Sequence, residues 1–95
     1  MPGEVAAAID SKLRRALEPE SLDIVDESER HRGHSGWREG GETHFRLTII
    51  ARAFDGASRL ARHQMVNRAL AEELAGPVHA LSIAALTPEE AERRE

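Results

Sequence analysis

Thr43-His-Phe-Arg-Leu-Thr-Ile49 is the stretch on which the fold turns. Phe45, Leu47 and Ile49 alternate with His44, Arg46 and Thr48, the period-two pattern of a strand with one buried and one wetter face. Toward the N-terminus, residues 28–41 carry four glycines and no apolar period, which predicts a loop longer than a compact hairpin needs. Before it, Leu22-Asp-Ile-Val-Asp26 reads as a short strand with Leu22 and Ile24 on one face. Val5, Ile9, Leu13 and Leu17 recur every four residues and predict an amphipathic helix over about 3–17, stopped by Pro19.

Toward the C-terminus, Phe54-Asp-Gly56 predicts a turn, and Ser58 can cap a helix containing Leu60, Val66, Leu70 and Leu74. The basic half of that stretch (Arg59, Arg62, His63, Arg68) precedes the acidic half (Glu72, Glu73), which suits two helices rather than one. Gly76-Pro77 ends it. Val78-His-Ala-Leu-Ser-Ile-Ala-Ala-Leu86 reads as a third strand, its alternation placing His79 on the side of Leu81 and Ile83. Thr87-Pro-Glu-Glu90 is a good helix start, but the tail it opens is too short to be a stable helix alone. The order α-β-β-α-α-β, with helices on one face of a small three-stranded mixed sheet, is an α+β sandwich. At 95 residues this is a single domain, with its core over about 4–87 and a short tail over 88–95.

The cysteine count is zero, so the chain has no thiol nucleophile, no CxxC pair and no thiolate metal ligand of its own. It has five histidines: His31, His34, His44, His63 and His79. The net charge of -4 divides unevenly: residues 1–30 sum to -4, residues 31–70 to +4, and residues 71–95 to -4. The basic centre holds four of the five histidines and suits an anionic partner. No apolar run approaches a membrane span, and the N-terminal residues lack the features of a signal peptide, so a cytoplasmic protein is expected.

On the residues alone, His79 reads as a structural histidine, His44 as a structural or surface group facing away from Phe45, and His63 as a packing or interface histidine at the edge of a helix stripe. His31-Arg-Gly-His34 supplies two imidazoles, which leave a four-coordinate zinc site short. Arg52, Arg59, Arg62 and Arg68 can line a basic patch beside the helix pair. Ser28 with a nearby histidine is the only nucleophile-like pair, no orienting acid follows from the spacing, and no Walker or Rossmann fingerprint exists, so an enzyme is not expected.

Asp26-Glu-Ser28, the loop with His31, Glu42-Thr-His-Phe45, Phe54-Asp-Gly56, Arg62-His63, Leu70-Ala-Glu-Glu-Leu74 and Val78-His-Ala-Leu-Ser-Ile83 occur in that order. The set resembles the BolA family over about residues 5–88. The resemblance implies a fold related to the class II KH domain. It also implies a monothiol glutaredoxin as partner and a [2Fe–2S] cluster shared between the two proteins. The implied ligands on this side are His79 and a loop histidine, best matched by His31 with His34 as the alternative; the glutaredoxin side brings a cysteine and the thiol of glutathione. Two imidazoles on one iron is the Rieske arrangement, which raises the potential. Imidazole binds metal only when neutral, so such a site loosens in mild acid.

Some BolA-like proteins are described as DNA-binding regulators of stress response and cell morphology, which implies a rival reading through the Arg-rich helix. KH domains bind single strands through a Gly-x-x-Gly loop between helices. The one match here, Gly33-His-Ser-Gly36, lies in the hairpin loop instead, and aromatic residues for base stacking are scarce.

Overall fold

The computed structural model describes residues 3–28 and 42–93. Helix α1 (Glu4–Leu17) is followed by strands β1 (Ser21–Asp26) and β2 (His44–Ile50), a 3-10 turn at Arg52–Phe54, helices α2 (Arg59–Ala69) and α3 (Ala71–Ala75), strand β3 (Ala80–Leu86) and helix α4 (Pro88–Arg93). The sheet order is β1-β2-β3. β1 runs antiparallel to β2, with Ile24 opposite Leu47; β3 runs parallel to β2, with Leu47 opposite Ile83. The mixed α+β architecture expected from the patterning is the one found.

Helix α1 buries Ile9, Leu13 and Leu17, the stripe the four-residue spacing marks out. These meet Phe45, Leu47 and Ile49 of β2, together with Phe54, Val66, Leu70 and Val78, in one core. The other face of β2 is wetter: Arg46 is exposed, and Thr48 and Ile50 are half-buried. Glu18, in the left-handed conformation at φ 46°, closes α1 ahead of Pro19 by donating its N–H to Arg14 O at 3.1 Å. Between the two middle helices, the chain breaks helical geometry at Leu70 (φ -106°, ψ 22°), as the charge asymmetry suggested.

Two expectations need correction. Leu60 is not on the buried stripe; it is 68% exposed. It sits six residues before buried Val66, and at about 100° per residue that is a third of a turn away from the core-facing line. The C-terminal tail is also not an unsupported segment, because residues 88–93 form α4. Thr87 and Glu90 form a capping box, Glu90 N donating to Thr87 Oγ1 at 3.2 Å and Thr87 N donating to Glu90 Oε1 at 2.9 Å. Arg62 then holds Glu90 through Nη1 at 2.6 Å and Nη2 at 3.2 Å, so tertiary contact supplies what local propensity lacks.

Candidate functional site

Strand β3 begins at Ala80, two residues later than the alternation suggested, leaving His79 exposed just before it. Its backbone is nevertheless fixed, since the N–H of His79 donates to Thr43 O at 2.7 Å. Its ring lies against that of His44, the two centroids 5.4 Å apart and the planes tilted by 51°. His44 is no surface group: at 5% exposure it is buried at the start of β2. It lines a hollow of about 290 Å³ with Glu27, Phe45, Ala80, Leu81 and Ser82.

A set of hydrogen bonds, buried around Ser28 and Thr43 and part-buried at Asp26, ties down the chain on both sides of residues 29–41. Asp26 Oδ1 accepts from the Ser28 hydroxyl at 2.5 Å and from Ser28 N at 2.9 Å, while Asp26 Oδ2 accepts from Glu42 N at 3.0 Å. Ser28 Oγ in turn accepts from Thr43 N at 2.9 Å and from His44 N at 3.2 Å. Partial burial pushes the Asp26 carboxyl upward, but the donated bonds from Ser28 and Glu42, with His44 nearby, outweigh it and hold the group below the ordinary carboxylate range. Ser28 is thus no nucleophile, since it is 1% exposed and its only hydroxyl proton goes to Asp26. Glu42, held at φ 63°, extends the set to α1, its Oε2 accepting from Val5 N and Ala6 N at 3.0 Å each.

His31 and His34 lie outside the described residues. Their segment leaves the described chain after Ser28 and rejoins it at Glu42, and both of these positions bond into the group that includes Thr43, the residue that holds His79. Among the described residues, no group of three or more histidine, aspartate or glutamate side chains is placed to hold a metal ion. What the described residues bring together is the pair His44 and His79.

The four arginines line three different hollows, Arg59 and Arg62 sharing one. Arg52 pairs with Glu20 at 3.1 Å and lines a hollow with Asp55, Glu89 and Glu92. Arg62 is largely enclosed; besides Glu90, it donates to Ala57 O at 3.0 Å and Ala85 O at 3.1 Å. Arg59 and half-buried His63 line a hollow of about 570 Å³ beside Ile83 and Glu90. Arg68 lies apart, with Ala16, Leu17 and Met65.

The family model described as BolA-like protein matches residues 13–90. The chain belongs to the BolA family. Human BolA-like protein 1 is 51% identical over 86 residues, which make up 90% of this chain and 60% of that protein, so the chain spans about three-fifths of the length of such curated relatives. The BolA protein of Vibrio cholerae named as a DNA-binding transcriptional regulator is 39% identical over 82 residues, covering 86% of this chain and 74% of that protein. Among solved structures, the BolA domain of SufE1 from Arabidopsis thaliana superposes with a TM-score of 0.84 at 42% identity, covering 93% of this chain and 96% of that one. The solution structure of BolA1 from Mus musculus gives 0.80 at 46% identity, covering 97% and 72%. These BolA relatives carry names of regulators or BolA-like proteins, not of enzymes. Among the described residues of this BolA chain, no helix is long and apolar enough to cross a membrane.

The BolA motifs mark His79, yet the sequence reading missed its ring neighbour. Alternation correctly turned His44 away from Phe45, but the register that sets His44 beside Ala80, and so next to His79, is a long-range pairing. The Asp26-x-Ser28 spacing is the one local trace of the bonded set, because a short acidic side chain commonly accepts from the backbone two residues on.

Proposed function

We propose that this chain is a non-enzymatic partner of a monothiol glutaredoxin that contributes nitrogen ligands to a shared [2Fe–2S] cluster, in cluster maturation or iron sensing. The observation that supports it most is the exposed His79, whose N–H is held by Thr43, a residue that follows Glu42 in the chain and bonds to Ser28. His31 follows Ser28 by three residues, so an extended chain brings it within about 10 Å of that root, and His34 within about 20 Å. The donor set fits one iron of such a cluster: neutral imidazole is an accepted ligand, and the partner's cysteine and glutathione supply the sulfur that this chain, without cysteine, does not. When bound, the cluster supplies one-electron chemistry; this chain's part is to hold His79 at a fixed position and present it to the partner.

The test is anaerobic reconstitution with a monothiol glutaredoxin and glutathione, read by visible circular dichroism. His79→Ala, and separately His31→Ala with His34→Ala, should change the spectrum and weaken cluster retention. A wild-type spectrum from either variant removes that ligand from the assignment.

A second reading, a DNA-binding regulator, is favoured by the printed name of the Vibrio cholerae relative. Arg59 and Arg68 are exposed on α2, whereas Arg52 and Arg62 have carboxylate partners. Binding through them should weaken steeply as salt rises, and Arg59→Ala with Arg68→Ala should lower affinity for duplexes of any sequence. Equal binding by that double variant rules the helix out as the contact.

A further inference from the structure

Strand β3 lies at one edge of the sheet and pairs with β2 alone. Its two sides can be told apart. Leu86 O accepts from Ala51 N at 3.0 Å and Ala80 N donates to Thr43 O at 3.2 Å, so the even-numbered residues face β2. Successive residues of a strand point their N–H and C=O to opposite sides, so those of Leu81, Ile83 and Ala85 point away from the sheet. Ala85 O is covered, accepting from Arg62 Nη1 at 3.1 Å. Among the described residues no strand covers the outward groups of Leu81 and Ile83.

The composition of this edge is the second observation. Edge strands are ordinarily kept from further pairing by charged side chains, proline or short length. β1, at the opposite edge, carries Asp23 and Asp26. β3 runs Ala-Leu-Ser-Ile-Ala-Ala-Leu over seven residues, with no charge and no proline. A hollow of about 570 Å³ lies beside it, with Ile83 and Ala85 on one side and Arg59, Arg62 and His63 of α2 on the other.

Charge selects the occupant. Arg62 is neutralised by Glu90 at 2.6 Å. Arg59 is exposed and has no carboxylate partner among the described residues, so the hollow keeps a positive charge that an acidic side chain answers. A second copy of this chain does not answer it: two β3 edges laid side by side add another Arg59 and, in Glu90, only a carboxylate already paired. A phosphate backbone answers the charge but not the edge, because phosphate oxygens only accept and leave the carbonyls of Leu81 and Ile83 without donors. Another strand offers donors and acceptors in alternation.

We propose that the free edge of β3 receives an extended segment of a partner protein as a fourth strand, with an acidic side chain of that segment against Arg59. The surface uses none of His31, His34 and His79, and so it stands or falls separately from the shared-cluster reading.

The experiment uses the full chain and capped peptides of seven residues, the length of β3. One alternates valine with glutamate, and one alternates valine with lysine. Two further versions of the glutamate peptide are N-methylated, at the valines or at the glutamates, so that one side of each has lost its ladder N–H groups. Hydrogen exchange followed by NMR reads the edge. The glutamate peptide should slow exchange at Leu81 and Ile83 and leave Ser82 and Ala84, which already face β2, unchanged. One of the two methylated versions should bind at least about 10-fold more weakly. Arg59→Glu places an acid in the first turn of α2, where the helix tolerates it. It should weaken the glutamate peptide about five-fold and tighten the lysine peptide. The proposal is overturned if the glutamate peptide leaves Leu81 and Ile83 unprotected, or if both methylated versions bind as tightly as their parent. It is also overturned if a single-stranded oligonucleotide protects the two amides in the peptide's place, or if their protection rises with protein concentration alone, which assigns the edge to a second copy.

Discussion

Ser28 and Thr43, fifteen residues apart, are joined by a backbone N–H donated from Thr43 to the Ser28 hydroxyl oxygen at 2.9 Å. Two further contacts reach the same oxygen, the N–H of His44 and the hydroxyl of Thr43. One buried oxygen therefore closes the base of residues 29–41 and fixes the start of β2.

Removing that oxygen strands buried donors. Ser28→Ala should destabilise the fold by about 1–3 kcal/mol, measured by urea unfolding. It should also shift the amide resonances of Thr43, His44 and His79 together, because His79 hangs on the carbonyl of Thr43.

Glu42 is the side-chain cap of α1, although it lies far from it in sequence. Glu42→Ala should lower stability by about 1 kcal/mol, the usual effect of losing an N-cap acceptor. Hydrogen exchange at Val5 and Ala6 should speed up most. Glu42→Gly relieves the positive φ but removes the same acceptor, so it should recover only part of the loss.

The Glu90 carboxyl is held down at about 2, against 4.5 ordinarily, chiefly by the Arg62 guanidinium and then by the N–H of Thr87. A depressed folded value means that the stabilising contribution is complete above the unfolded value and disappears as pH falls from about 4.5 toward 2. Carboxyl-detected NMR should show Glu90 titrating near the lower value, with α4 fraying over the same interval. Glu90→Gln should fray α4 at neutral pH and remove this pH dependence.

Leu47 is fully buried at the centre of the sheet, between Ile24 and Ile83. Leu47→Ala should cost about 2–5 kcal/mol. Native domains are stable by only about 5–15 kcal/mol, so thermal unfolding should show this variant with a strongly lowered midpoint.

The parts of the fold that were legible in the sequence are those whose physics is local. Helix α1 and strand β2 announce themselves because each alternates apolar and polar residues at its own period, and the break near Leu70 is foreshadowed by the reversal of charge. The start of helix α4 was legible in Thr87-Pro-Glu-Glu90, but its persistence was not, because six residues are marginal until Arg62 grips Glu90. Nor was the exposure of Leu60, which depends on how α2 is rolled against the sheet. The site divides the same way. His79 stands out by its family motif, whereas the juxtaposition with His44 is created by a parallel register that no window of neighbouring residues contains.

The parallel pairing of β2 with β3 also bears on the order of folding. The β1–β2 pair is antiparallel, whereas β3 reaches β2 only after α2 and α3 have crossed over the sheet. That contact is non-local, its loop-closure entropy must be met before it forms, and it belongs to the slow class of folding events. His79 arrives with β3. A chain in which β3 has not docked lacks His79 beside His44. The ring contact between His44 and His79 is therefore a mark of completed folding.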